Sequence, residues 1–309
     1  MIWAEIETVF LNSRRRGTDG AYKPCKDSSL TIYQRNLQLF FRFMGERDVH
    51  TWQRMRKADI LSFLDSLEHR QWAASTKLQL LRCLRTLFIW ATVDEDCVSA
   101  GLKDWRKTLP AIQATPRREY IPTPADLRRW KGFYKTNTFM GHRDHTLFML
   151  LLGTGIRVGE AVSLLTDNVM LDEGLMLVKG KTGPRTVGLS NELVRILRGY
   201  MRRADRRTKS KDWAGEVFVT RYGEPCTPNG IGQAFRKHQK KYGLPNITPH
   251  TLRHAFCTYY LRKGGSLARL KNMTGHSSLK VLEGYLHAAE MGSEESKAEL
   301  ERVSPLGQL

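Results

Sequence analysis

The sequence is poor in acids and cysteine and has no long apolar run, and each shortage removes a class of function. Its 309 residues hold five cysteines (Cys25, Cys83, Cys97, Cys226, Cys257), an odd number, widely spread and without a C-x-x-C pair. That pattern argues against a disulfide framework or a zinc site and for a reducing compartment, with most of the five expected as small core residues. No apolar stretch approaches the about 20 residues that a transmembrane helix needs. The opening Met1-Ile-Trp-Ala-Glu5 lacks a charged segment followed by an apolar one, so no signal peptide is expected. Acids number 31 against 50 Lys and Arg, a formal net charge of +19. A surplus of that size favours a polyanionic partner, nucleic acid or an anionic membrane surface, and the missing membrane segment turns the reading toward nucleic acid.

What is present organises into two parts. Hydrophobic residues make up 41%, enough for ordinary packing, and the length suits two domains. In the first third Leu30, Tyr33, Leu37, Phe40, Phe41 and Met44 recur at helical spacing behind Ser28 and Ser29 as caps. Ile60, Leu61, Leu64 and Leu67 form a second stripe, and Leu78, Leu81, Leu84, Phe88 and Ala91 a third. A shorter stripe (Ile2, Ile6, Val9, Phe10) opens the chain, and a loop-like stretch from Gly17 to Lys26 follows it. A helical bundle over residues 1–110 is predicted. Residues 111–124 read as a proline-bearing linker, whose Arg117 and Arg118 either track a phosphate backbone or sit on a plain surface loop. Residues 125–309 form the second domain. It is again helical, with a hairpin of Leu175–Val178 and Arg185–Leu189 around the turn-rich Gly180–Pro184, and Val217–Thr220 as a third strand. The fold class is therefore mainly α with a small antiparallel β-sheet. The stretch from Arg195 to Lys211 carries eight basic residues and one acid, so Arg202, Arg203 and Arg206 are candidates for phosphate contact, against the alternative of a solvated helix face.

Three blocks in the second domain carry chemistry. In Gly153-Thr-Gly-Ile-Arg157-Val-Gly-Glu160 a tight turn opens a helix, and Glu160 shares a face with Arg157, where an acid can hold a guanidinium fork in one orientation for a phosphate. A dinucleotide-binding glycine loop is the rival, but the spacing is G-x-G-x-x-x-G and no repeating βαβ pattern surrounds it. In Thr248-Pro-His250-Thr-Leu-Arg253-His254, Pro249 suits a helix start, and His250 and Arg253 at i, i+3 point the same way as an oxyanion clamp. His250 and His254 at i, i+4 also suggest a metal site, yet Thr251 stands where the zinc-protease pattern needs Glu, and no metal is expected. In Thr274-Gly275-His276-Ser277-Ser278, Gly275 ends one helix and the serines cap the next. Tyr285 follows nine residues after the histidine, near the end of a short helix.

Together, and in this order, these blocks resemble the tyrosine recombinase (phage integrase) family, in particular its Xer-like site-specific recombinases. The match runs from about Pro122 to Tyr285, and the helical first domain looks like the family's core-DNA-binding domain. The resemblance implies a catalytic set of Arg157, Lys181, His250, Arg253, His276 and Tyr285, supported by Glu160. Tyr285 would attack a phosphodiester to give a 3′-phosphotyrosyl intermediate. Arg157, Arg253 and His276 would hold the non-bridging oxygens, and His250 would assist proton transfer at Tyr285. A hairpin lysine would protonate the leaving 5′-hydroxyl; Lys181 sits at the family position, and Lys179 remains the alternative because the turn is one residue shorter than usual. No cofactor is implied. The partners implied are a double-stranded DNA site, other protomers in a tetramer on two such sites and accessory DNA-bending proteins, in the cytoplasm at the nucleoid. The tail from Ala288 to Leu309, with a helix expected around Glu294–Arg302, would dock on a neighbouring protomer. Two other functions fit parts of the pattern: a type IB topoisomerase-like or telomere-resolving enzyme, and a DNA-binding regulator that kept the fold without catalysis. The complete set of five Arg, His and Tyr residues argues against the regulator.

Overall fold

The computed structural model describes residues 1–17, 24–99, 102–111, 120–180, 183–204, 215–279 and 282–286, and the chain divides into two compact units, residues 1–117 and 118–309. The first unit is built of α1 (Trp3–Arg16), α2 (Asp27–Glu46), α3 (Lys57–Glu68), α4 (Ala74–Trp90) and the short α5 (Glu95–Ser99). Aromatic rings fill its core. Trp3 stacks on Phe41 at 4.9 Å between centroids, Phe40 meets Phe63 edge-on at 5.0 Å, and Phe10 meets Trp90 at 5.3 Å. Two indole N–H groups are satisfied across the bundle, Trp3 donating to the Val49 carbonyl at 2.6 Å and Trp52 to that of Lys103 at 3.2 Å. The stripe on α3 is Ile60, Phe63 and Leu67, all buried, while Leu61 faces outward. Ser28 and Ser29 lie inside α2, whose N-cap is Lys26 without a side-chain cap.

The second unit contains α6 (Pro124–Phe133), α7 (Phe139–Thr154), α8 (Val158–Val162), β1 (Val169–Met170), β2 (Leu175–Gly180), β3 (Gly183–Gly188), α9 (Asn191–Ala204), α10 (Pro228–Tyr242), α11 (Pro249–Arg262) and α12 (Leu267–Thr274), with a further helical turn at residues 282–286. Three of its helices start where Thr is followed by Pro: Thr123, Thr227 and Thr248 each accept a backbone N–H with Pro at the first helical position. The side chain of Thr138 caps α7 in the same manner. The buried α7 packs against α9 and α11, and Trp130 of α6 stacks on Phe148 and Phe235 in the core.

The sheet is antiparallel in the order β1-β2-β3, and the β2–β3 pairing extends to Gly180 opposite Gly183, within the expected Gly180–Pro184 segment. The third strand is Val169–Met170 rather than Val217–Thr220. Val217, Phe218 and Val219 are all buried, and their segment is bonded elsewhere: Val217 N–H donates to Leu164 and Cys226 N–H to Phe218. Its backbone groups are thus spent against the end of α8 and its own return segment, which leaves the β2 edge to β1.

Candidate active site

Helix α7 ends at Gly155, whose φ of 63° is left-handed and whose absent Cβ would stand 2.2 Å from the Phe256 ring. Only glycine fits that turn. The chain then presents Arg157 as the N-cap of α8, one position earlier than the expected first turn. Glu160 reaches back to the Arg157 N–H at 2.9 Å and holds its guanidinium at 3.1 Å, a charged version of the capping-box return.

Glu160 has a second cation that the sequence reading missed. Arg185 on β3 donates to both carboxylate oxygens, at 3.0 and 2.8 Å, and to the Met273 carbonyl at 2.8 Å. The Glu160 side chain is only 5% exposed. Burial pushes its carboxyl upward, but hydrogen bonds from Arg185 and the Arg157 N–H win and hold it below the usual range.

Arg253 projects from the buried face of α11. It donates to the carbonyls of Gly155 at 2.7 Å and Thr274 at 2.8 Å. Arg157 donates to the same Thr274 carbonyl at 3.5 Å and to that of Gly275 at 3.0 Å. One carbonyl therefore gathers both guanidinium groups. Burial, with Arg157 alongside, pulls Arg253 down to about 10, still charged at neutral pH. Gly275 ends α12 with a left-handed φ of 64° and sets His276 beside Arg253. The His276 Nε2 lies 2.9 Å from Arg253 Nη2, and its Nδ1 lies 2.7 Å from the Thr274 hydroxyl. Burial first, then Arg253 and Arg157, push the His276 pKa down to about 4, so the ring is neutral under ordinary conditions. A pocket of about 470 Å³ opens here, lined in part by Arg185, Lys271, Gly275 and His276.

Tyr285 packs with its ring centroid 6.1 Å from His276, and its hydroxyl is hydrogen-bonded to Nδ1 of His254. Leu282 on the same turn is fully buried against Cys257, Leu261 and Leu270, which fixes the tyrosine over α11. The structure thus gathers Arg157, Glu160, Arg253, His276 and Tyr285, and adds Arg185, His254 and Thr274. His250 stands exposed on the first turn of α11. Lys179 is exposed near the end of β2, whereas Lys181 lies outside the described residues. So do Arg117, Arg118, Arg206 and the tail with its expected helix around Glu294–Arg302. Arg202 is exposed on α9. Arg203 instead donates to the carbonyls of Thr136 at 2.7 Å and Asn137 at 2.9 Å, so its guanidinium is spent holding the loop before α7. Among the described residues no group of three or more His, Cys, Asp or Glu could hold a metal ion, and no helix is long and apolar enough to cross a membrane.

Residues 131–291 match the model of the phage integrase family, and residues 25–95 match its N-terminal SAM-like domain. The chain is 26% identical over 271 residues to tyrosine recombinase XerD of Listeria monocytogenes serotype 4b (strain F2365), covering 85% of this chain and 89% of the relative. It is 25% identical over 267 residues to tyrosine recombinase XerC of Roseiflexus castenholzii (strain DSM 13941 / HLO8), covering 84% and 83%. In fold it is similar to the Tn1549 transposon integrase in complex with transposon right end DNA, with a TM-score of 0.71 at 18% identity, covering 98% of this chain and all of that one. It is also similar to a lambda integrase tetramer bound to a Holliday junction, with a TM-score of 0.68 at 16% identity, covering 92% and 76%. With its family model spanning the residues that build the site, the chain belongs to the phage integrase family of tyrosine recombinases.

Proposed function

We propose that the chain is a site-specific recombinase that cuts and rejoins DNA through a 3′-phosphotyrosyl intermediate, within a tetramer on two DNA sites. The observation that carries the reading is the convergence of Arg157 and Arg253 on one carbonyl, with His276 against Arg253 and Tyr285 beside them. Phosphodiester transfer needs an in-line nucleophile, positive charge at the non-bridging oxygens and a proton for the leaving alkoxide. Two guanidinium groups aimed by carbonyls and Glu160 meet the second need without reorganising during the reaction. Tyr285 is the nucleophile. A phenol ordinarily ionises near pH about 10, so it must lose its proton during attack. His250 is assigned to assist that transfer, and His254, which already holds the Tyr285 hydroxyl, is assigned to orient it. Lys181, or Lys179 in its place, protonates the departing 5′-hydroxyl. The phosphotyrosyl bond conserves the energy of the broken one, so rejoining needs no ATP.

The first unit, taken as a core-DNA-binding domain over residues 1–110 with a linker at 111–124, grips the duplex together with basic residues such as Arg202. The tail from Ala288 to Leu309 docks on a neighbouring protomer, and the enzyme works in the cytoplasm at the nucleoid, with DNA-bending proteins as accessories. Integration, excision and resolution of DNA all proceed by this chemistry. The test is single-turnover cleavage of nicked duplexes with Arg253→Lys. A lysine reaches fewer of the acceptors than the fork does, so cleavage should fall on the order of 100-fold while DNA binding is kept. Wild-type cleavage by the lysine variant would contradict the assignment. So would relaxation of supercoiled plasmid that needs no particular site, which instead fits a type IB topoisomerase.

A further inference from the structure

The hydrogen bonds around His276 fix which ring nitrogen carries its proton. Arg253 Nη2 lies 2.9 Å from the His276 Nε2 and 3.4 Å from its Nδ1, whose nearer partner is the Thr274 hydroxyl. Arginine has donors and no acceptor, so the closer nitrogen, Nε2, offers it the lone pair. The proton of the neutral ring is therefore on Nδ1, and it is donated to the Thr274 hydroxyl 2.7 Å away. That hydroxyl donates in turn to the Leu270 carbonyl at 2.5 Å. This tautomer is the wrong one for a phosphate. A non-bridging oxygen arriving at Nε2 needs a donor there, and the resting ring presents a lone pair.

We propose that Thr274 is a positioning residue whose hydroxyl selects the tautomer of His276, holding the proton on Nδ1 in the free protein and on Nε2 once a phosphate engages Arg253. This rests on the recombinase reading for the second state but not for the first. A hydroxyl has one donor and two acceptor lone pairs and turns freely about its C–O bond. Directed to Leu270, it accepts from Nδ1–H. Directed to the ring, it donates to a bare Nδ1, and the ring then holds its proton on Nε2, facing the phosphate. The proton on Nδ1 is given up to water and another is taken from water at Nε2, so the charge of the ring does not change. Both of its partners, Leu270 and His276, lie within reach of the fully buried Thr274, and the last turn of α12 holds it in place. Thr274 also supplies, through its carbonyl, the acceptor that aims both arginines. The same residue thus sets the direction of the guanidinium groups by its backbone and the state of the imidazole by its side chain.

The test uses the full chain labelled with ¹⁵N-histidine, in which Nδ1–H and Nε2–H tautomers have distinct nitrogen shifts. In the free wild type, His276 should be in the Nδ1–H form. Thr274→Val keeps the shape and removes the hydroxyl, and the tautomer ratio should move toward Nε2–H by roughly tenfold, the weight of one neutral hydrogen bond. Thr274→Ser should restore the wild-type ratio. A free wild type in the Nε2–H form, or a ratio unchanged by Thr274→Val, would overturn the proposal, and neither reading depends on catalysis. On nicked DNA in a Tyr285→Phe background the wild-type ring should switch to Nε2–H, and Thr274→Val should leave a mixture both free and bound. In single-turnover cleavage at saturating DNA, Thr274→Val should be slowed roughly tenfold and Thr274→Ser less than about twofold. On a His276→Ala background Thr274→Val should cost nothing further, and a full additional loss there would show that Thr274 acts by some route other than the imidazole. Failure of the wild type to cleave any DNA would count against the recombinase reading, and the free-protein tautomers would then decide for or against Thr274 by themselves.

Discussion

Replacing Glu160 with glutamine should test the electrostatic frame of the site through stability as well as rate. The carboxylate takes four hydrogen bonds, from the Arg157 N–H and Nη1 and from Nη1 and Nη2 of Arg185. Breaking a buried ion pair from one side costs about 3–5 kcal/mol, because the partner is left charged and uncompensated. Two features reduce that figure. Glutamine keeps one carbonyl oxygen, and Arg157 at 31% exposed can regain water, whereas Arg185 at 12% largely cannot. A loss of about 2–4 kcal/mol follows, which for a unit of this size lowers its melting midpoint by roughly 5–15 °C. Calorimetry across a pH series is the assay. The folded carboxyl lies below its ordinary 4.5, so its contribution is fully present above that pH and is lost as pH falls through the folded value. The gap between wild type and Glu160→Gln should be constant near neutrality and should close in acid. A gap under about 1 kcal/mol, or one that does not change with pH, would refute the reasoning.

Other outcomes follow from single residues. His276 is held neutral with a folded pKa of about 4 against an ordinary 6.5, so the unfolded chain binds a proton first and stability should decline as pH falls between those values. His276→Gln should flatten that decline in urea-unfolding series. Gly155→Ala combines a left-handed φ with a Cβ driven into Phe256, and should lose at least about 2 kcal/mol in the same measurement. Arg202→Ala should lower the salt dependence of DNA binding by about one phosphate contact at nearly unchanged stability. Arg203→Ala should do the reverse, releasing the loop at Thr136 and Asn137 with little change in the salt slope.

The parts of this molecule that were legible in the sequence are those set by local rules. The Gly-Thr-Gly turn before Arg157, Pro249 after its Thr cap and Gly275 before His276 are fixed by backbone conformation and capping, which neighbouring residues determine. The helical stripes of the first unit were visible for the same reason, though the outward Leu61 and the capless start of α2 show that a stripe fixes a face only to within a residue or two. Arg185 was not legible. It meets Glu160 across 25 positions, through a hairpin whose register no local pattern states, and in the sequence it is one arginine among many. His254 stood in plain view one turn after His250. Only the docking of the turn at Leu282 decides that its Nδ1, on the same helix, holds the Tyr285 hydroxyl. Val217–Thr220 has the composition of a strand, but composition does not say which edge a strand will find. Its backbone is satisfied by Leu164 and by its own return segment instead.

The most direct test of the central claim is to trap the nucleophile. A library of nicked duplexes with randomised sequence should give a detergent-resistant protein–DNA adduct with the wild-type chain. Peptide mapping should place the DNA on Tyr285 through a 3′-phosphate, with a free 5′-hydroxyl on the released strand, and Tyr285→Phe should give no adduct. A covalent adduct that survives in the phenylalanine variant, or that maps to any other residue, would contradict the account.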